Sequence, residues 1–191
     1  MSFSSEIVNA IKVLSEGGII LYPTDTIWGI GCDATNAAAV EKIFTIKKRG
    51  AEKSMIVLLD DFAELKKYTG HVPKEALPLI EATERPLTII YPSANKKALA
   101  QNLIAEDGSI AIRVTKDEFC KNLIKEFGKP IVSTSANVSG ENPPANFSEI
   151  SGEIKKAVDY ILNYRREEKI NPKPSVIIRI GQKGEIEFIR K

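Results

Sequence analysis

Residues 17–34 read GGIILYPTDTIWGIGCDA. Four successive apolar residues, 19–22, are closed by Pro23, which cannot donate to a sheet ladder, so the run predicts a short buried strand. The next ten residues, TDTIWGIGCD, carry hydroxyls, two carboxylates and two glycines and predict a tight loop. Such a loop lies at the carboxyl end of its strand, where α/β sheets hold ligands. Within it, Trp28 reads as a core or wall residue rather than a stacking platform, and Asp25 either caps a turn or touches a substrate.

Working outward, Ile7, Ile11 and Leu14, with Val8 beside them, recur at helical spacing behind the capping candidates Ser4 and Ser5, and Gly17 and Gly18 end that helix. Its interleaved charges are unlike a signal peptide. Beyond the loop, Val40, Ile43 and Phe44 mark a second helix running into Lys47, Lys48 and Arg49. Residues 55–59, 87–91, 110–114 and 131–133 read as strands, and the surroundings of Leu65, residues 77–80 and residues 118–126 as helical. Segments 176–180 and 185–189 flank Gly181 and Gly184 as a hairpin. Residues 163–174, with Pro172 and Pro174, read as a mobile loop. Strands and helices alternate without repeats, which predicts a single α/β domain over residues 5–191, built on a twisted mixed β-sheet flanked by helices.

Composition narrows the function. Lys plus Arg number 27 against 25 Asp plus Glu, a net charge of +2, too small for a nucleic-acid coat. Cys32 and Cys120 have no CxxC partner, which argues against a disulfide framework or structural zinc and for a reducing compartment. No apolar run approaches the roughly 20 residues that span a bilayer, so no membrane is expected and the predicted location is cytoplasmic. Neither GxGxxG after a strand nor GxxxxGK[ST] occurs, so the Rossmann and Walker fingerprints are excluded. The single histidine, His71, reads as a surface residue and leaves no basis for a His triad or a multi-His metal site.

Four groups could carry chemistry. Lys47, Lys48 and Arg49, with Lys53 four residues further on, suit phosphate oxygens, Arg as a planar fork and Lys as a point charge; the same cluster also reads as a solvated helix end. Arg113 alternates with Ile110, Ile112 and Val114 in its strand, so it shares the other face with Ala111 and points either into a polar cleft or, at a sheet edge, into solvent. Residues 133–140, STSANVSG, place four hydroxyls and an amide where backbone N–H groups can approach an anion. The PTDT loop is the fourth.

Taken together, GGIILYPTDTIWGIGCDA, Lys47-x-Arg49, SIAIRV (109–114) and KPIVSTSANVSG (129–140) occur in an order that resembles the YrdC-like family across nearly the whole chain. The resemblance implies the family's fold with a concave basic face, and an L-threonylcarbamoyladenylate synthase, a nucleotidyltransferase that makes threonylcarbamoyl-AMP and pyrophosphate from L-threonine, bicarbonate and ATP for tRNA threonylcarbamoyladenosine. It implies catalytic roles for Lys47, Arg49 and Asn137, the last by ordering the loop of Ser135. It further implies ATP contacts from Arg49, Lys53, Ser109, Ser135 and Arg190, and threonine contacts from Thr26, Arg113, Ser133 and Ser175. Mg²⁺ would arrive on the ATP phosphates with no protein ligand, and the product would pass to downstream threonylcarbamoyl-transfer proteins. The chain departs from the family at Gly50 and at Ser54-Met55, where Pro and Pro-Leu are frequent, at Leu58, where longer members carry a His, and at Val176, where Thr is frequent. It resembles the short form, without a further carboxyl-terminal domain. Two other readings remain: a double-stranded RNA or tRNA-binding module without catalysis, and a carbamoyl-transfer domain.

Overall fold

The computed structural model describes residues 3–50, 55–168 and 174–191. The elements are α1 (Phe3–Ser15), β1 (Ile20–Tyr22), β2 (Gly29–Asp33), α2 (Ala37–Ile46), β3 (Ile56–Leu59), α3 (Leu65–Tyr68), α4 (Ala76–Ala82), β4 (Leu87–Tyr91), β5 (Ile110–Val114), α5 (Glu118–Phe127), β6 (Ile131–Ser135), α6 (Gly152–Ala157), β7 (Tyr160–Ile161), β8 (Val176–Ile180) and β9 (Ile186–Arg190). One mixed sheet runs through them in the order β7-β1-β2-β6-β3-β5-β4-β8-β9. The pairs β1/β7, β3/β5 and β4/β8 are parallel and the remaining five are antiparallel.

Side-chain alternation gives the sheet two unlike faces. Leu21, Ile30, Cys32, Val57, Leu59, Ile89, Ile112, Val132, Ile178 and Ile180 form one continuous apolar face, covered by α2 through Ala39, Val40, Ile43 and Phe44. The other face is apolar only at one end, where Ile20, Tyr22, Leu58 and Ile131 meet Ile7 and Leu14 of α1 and Phe119, Leu123 and Ile124 of α5. Each fully buried aliphatic side chain contributes about 1.5–3 kcal/mol. Further along the same strands the alternating positions turn polar: Ser133 and Ser135 follow Ile131, and Arg113 follows Ala111. That uncovered half is where a ligand can lie.

The helices begin and end on local signals. Asn36 caps α2 by accepting from the N–H groups of Ala38 and Ala39, and Asp117 caps α5 by accepting from Cys120. Gly128, at φ 73°, ends α5 in the left-handed region.

Two expectations need correction. The second half of the supposed TDTIWGIGCD loop is β2, a strand interior to the sheet between β1 and β6. Its glycines lower strand propensity and hid it, yet a Cβ on Gly31 would stand 2.7 Å from the Tyr22 ring and 2.8 Å from the Val132 carbonyl. Here glycine marks close approach of neighbouring strands. The short elements α6 and β7 had no sequence signal of their own, and β6 runs two residues past the predicted 131–133, to Ser135. Of the predicted loop 163–174, residues 169–173 lie outside the described residues.

Candidate active site

The uncovered half of the sheet is a cleft of about 220 Å³. Its floor is Gly29, Ile56, Arg113, Ser133 and Ser135, and its walls include Thr26, Arg49, Ser175 and Arg190. Three arginines and five hydroxyl side chains line it, and its described lining contains no Asp, Glu, His or Cys. Such a hollow attracts anions, and its described lining offers neither a thiol or imidazole nor a carboxylate cage for a metal; no group of His, Cys, Asp and Glu among the described residues could hold a metal ion.

Arg113 stands on β5, which lies between β3 and β4, so the sheet-edge reading fails and the cleft reading holds. Its side chain is only 4% exposed. Nη1 donates to Thr26 Oγ1 at 3.3 Å and Nη2 lies 3.3 Å from Asp25 Oδ1, while buried Nε has no partner among the described residues. Thr26 is held in turn: Thr24 Oγ1 donates to the Ile27 carbonyl, accepts from the Thr26 N–H, and sits 2.9 Å from Thr26 Oγ1. Asp25 is therefore a partner of Arg113 rather than a turn cap, a role that its sequence neighbours could not reveal because Arg113 is 88 residues away.

Across the cleft, Arg190 donates from Nε to the Ser175 carbonyl at 2.9 Å and from Nη2 to Ser175 Oγ at 3.0 Å. Ser175 Oγ also lies 2.9 Å from Thr88 Oγ1. Burial, and then the charge of Arg113, push the Arg190 guanidinium below its ordinary range, as expected of two cations facing one hollow.

Arg49 reaches the cleft through the end of α2. The N–H of Lys48 bonds to the Thr45 carbonyl and that of Arg49 to the Phe44 carbonyl, with Lys48 in the left-handed region at φ 48°. This is a Schellman ending with Lys where Gly is usual, and it reverses the chain so that Arg49 points inward. Lys48 itself faces solvent and pairs with Glu153 at 2.8 Å.

Lys47 does something else. It is 1% exposed, and Nζ donates to the carbonyls of Ser135 and Asn137, the latter at 2.6 Å. The Lys47 carbonyl accepts from the Ser139 N–H at 2.8 Å. Burial first, then Arg49, lower its ammonium to about 8. The solvated-helix-end reading is thus wrong for Lys47. It pins the 135–139 loop from behind and does not line the cleft. Asn137 completes that loop by donating from Nδ2 to the Val138 and Glu141 carbonyls.

The cleft brings together seven of the sequence-predicted residues: Thr26, Arg49, Arg113, Ser133, Ser135, Ser175 and Arg190. Lys47 and Asn137 stand behind it. Ser109 is buried outside the lining, where it bonds Asp107 and lowers that carboxyl below the usual range. Lys53 lies outside the described residues. His71 is exposed and Trp28 is a buried wall residue against Phe147, ring centroids 4.8 Å apart, as read from the sequence.

An electropositive cleft on a mixed sheet, lined with hydroxyls and arginines, defines a small-molecule, anion-binding α/β protein. The chain belongs to the Sua5/YciO/YrdC family, described as telomere recombination, whose model matches residues 12–191. A threonylcarbamoyl-AMP synthase of Pseudoalteromonas translucida is 36% identical over 166 residues, 85% of this chain and 88% of that one. The crystal structure of E. coli YciO is 25% identical with a TM-score of 0.82, covering 97% of this chain and 88% of that chain. P. abyssi Sua5 complexed with L-threonine shares the fold, with a TM-score of 0.82 at 23% identity; the match covers 94% of this chain and about half, 52%, of that one.

Proposed function

We propose that this protein is an L-threonylcarbamoyladenylate synthase, condensing L-threonine, bicarbonate and ATP to threonylcarbamoyl-AMP with release of pyrophosphate. The observation that carries the reading is the convergence of Arg49, Ser135, Arg113, Thr26, Ser175 and Arg190 on one cleft whose described lining has no carboxylate, thiol or imidazole. The likeness to relatives named for this activity supports it.

The chemistry suits such a lining. Bicarbonate takes up a proton and loses water to give carbon dioxide, and the threonine amine adds to it, forming a C–N bond and releasing a proton, to give a carbamate. A carbamate oxygen then attacks the α-phosphorus of ATP, and the bond to the pyrophosphate oxygen breaks. The carbamate supplies the nucleophile, so the protein contributes alignment and charge neutralisation. Arg49 and the Ser135 loop hold the phosphates, with Lys53 assigned beside them; Arg190, hydrogen-bonded to Ser175, faces the cleft together with Arg113, and Ser109 is left out of the contacts because it lies outside the lining. The α-carboxylate of threonine docks on Arg113, flanked by Thr26, Ser133 and Ser175. Mg²⁺ enters with ATP as part of the substrate, held by phosphate oxygens and water, in keeping with a described lining that has no carboxylate. The reading places the enzyme in the cytoplasm, handing its product to threonylcarbamoyl-transfer proteins acting on tRNA.

The test is an assay of ATP and bicarbonate with and without L-threonine, following pyrophosphate and the adenylate by mass. Both products should appear together and only with threonine, and Arg49→Ala should lower turnover at least about a hundredfold, in keeping with the loss of a transition-state charge contact. Threonine-independent pyrophosphate, or full turnover in Arg49→Ala, overturns the assignment.

A further inference from the structure

The amino-acid end of the cleft contains two guanidiniums, and a pair of arginines ordinarily invites phosphate. A carboxylate stands behind them. Asp25 Oδ1 lies 3.3 Å from Arg113 Nη2 without the alignment of a hydrogen bond, and Oδ2 accepts from Thr115 Oγ1 at 3.3 Å. Asp25 does not line the cleft, and its side chain is 13% exposed. Thr115 is 1% exposed and is itself fixed by the Asp117 N–H at 3.2 Å. Arg113 therefore keeps Nη2 unaligned with Asp25 as a donor for a ligand, while half of the local positive charge is offset from behind.

We propose that Asp25 is the positioning residue that sets the charge this end of the cleft accepts, a monoanion such as an α-carboxylate in preference to a phosphate dianion. The inference rests on the reading that an amino-acid carboxylate docks on Arg113. With Asp25 ionised, Arg113 and Arg190 present a net charge of one, which a carboxylate matches. A second negative charge on the ligand meets the Asp25 carboxylate a few ångströms behind Arg113 and is repelled. Both substrates carry anionic groups, so such discrimination fixes their orientation: the triphosphate is kept at the Arg49 end and the amino acid at the Arg113 end.

The test is a calorimetric titration of the full chain with inorganic phosphate, and with L-threonine in the presence and absence of phosphate. Asp25→Asn keeps the shape and the acceptor toward Thr115 but removes the charge. It should bind phosphate about tenfold more tightly than the wild type, the size expected for one unit charge acting through a partly screened interior. Phosphate should then displace threonine at about tenfold lower concentration. Thr115→Val keeps the charge and should leave phosphate binding unchanged. Equal phosphate affinity in Asp25→Asn and wild type overturns the proposal, as does a Thr115→Val protein that gains phosphate to the same extent. Should Asp25→Asn not fold, Asp25→Ser carries the same expectation. A wild type that binds no threonine would sink the functional reading, while the phosphate titration would still decide the role of Asp25.

Discussion

An ammonium enclosed by carbonyl oxygens ties chain segments together, and Lys47 joins the end of α2 to the serine-rich loop in this way. Replacing it by Met removes both N–H···O bonds from Nζ and leaves the Ser135 and Asn137 carbonyls short of a donor. The side chain also carries a pH signature. The unfolded chain keeps this proton up to about 10.5, whereas the folded protein, whose Lys47 is desolvated and faces Arg49, releases it near 8. Between those values the unfolded state binds more protons, so wild-type stability should climb relative to Lys47→Met as pH rises, by on the order of 3 kcal/mol across the window. Urea denaturation of both proteins at several pH values measures this, and taking the difference cancels the buried tyrosines and cysteines common to both. A pH-independent difference would mean that the ammonium is not desolvated. Sequence could place Lys47 at a helix end, but which of two adjacent lysines is buried depends on where the Ser135 loop arrives, 88 residues later.

At the scale of elements, α5 is held by its first turn. Asp117 accepts from the Cys120 N–H through Oδ1 and pairs with Arg165 through Oδ2 at 2.8 Å, so one side chain caps the helix and fastens the segment after β7. Asp117→Ala should destabilise by about 1–3 kcal/mol, the sum of a lost cap and a partly buried ion pair. Arg165→Ala, which leaves the cap in place, should cost less. A larger loss from Arg165→Ala than from Asp117→Ala, by chemical denaturation, would contradict this division. The same scale shows what the sequence made legible. Strands with clear apolar alternation, such as β5, and helices with caps and a left-handed glycine, such as α5, could be placed nearly to the residue. β2 could not, because its two glycines answer to the Tyr22 ring and the β6 backbone, neighbours that only the sheet order supplies. β7, two residues long, is defined by pairing with β1 and has no pattern to read. The site followed the same division: Thr26, Arg49, Arg113, Ser133 and Ser135 were nameable from their strands and loops, whereas Ser175 and Arg190 were named only through the family resemblance. The pairing of Asp25 with Arg113, and the withdrawal of Ser109 from the lining, depend on packing.

For the molecule as a whole, the cleft exists only when residues from Thr26 to Arg190 have been gathered by one sheet, so ligands binding there report on global stability. A ligand at a hundred times its dissociation constant adds about 2.7 kcal/mol to the folded state. If the cleft has a phosphate end at Arg49 and a carboxylate end at Arg113, two substitutions should separate the ligands' effects. Arg49 is half-buried on the turn after α2, so Arg49→Ala should leave the melting temperature nearly unchanged, abolish stabilisation by ATP and keep that by L-threonine. Arg113→Ala should behave in the opposite way toward the two ligands. It should also lower intrinsic stability by about 3 kcal/mol or more, because the carboxylate of Asp25 then loses its counter-charge in a poorly solvated place. Thermal melts of the two variants with each ligand alone provide the four comparisons. Loss of both responses in both variants would mean that the hollow binds its ligands as one undivided anion site, and the two-ended arrangement on which the proposed reaction depends would have to be abandoned.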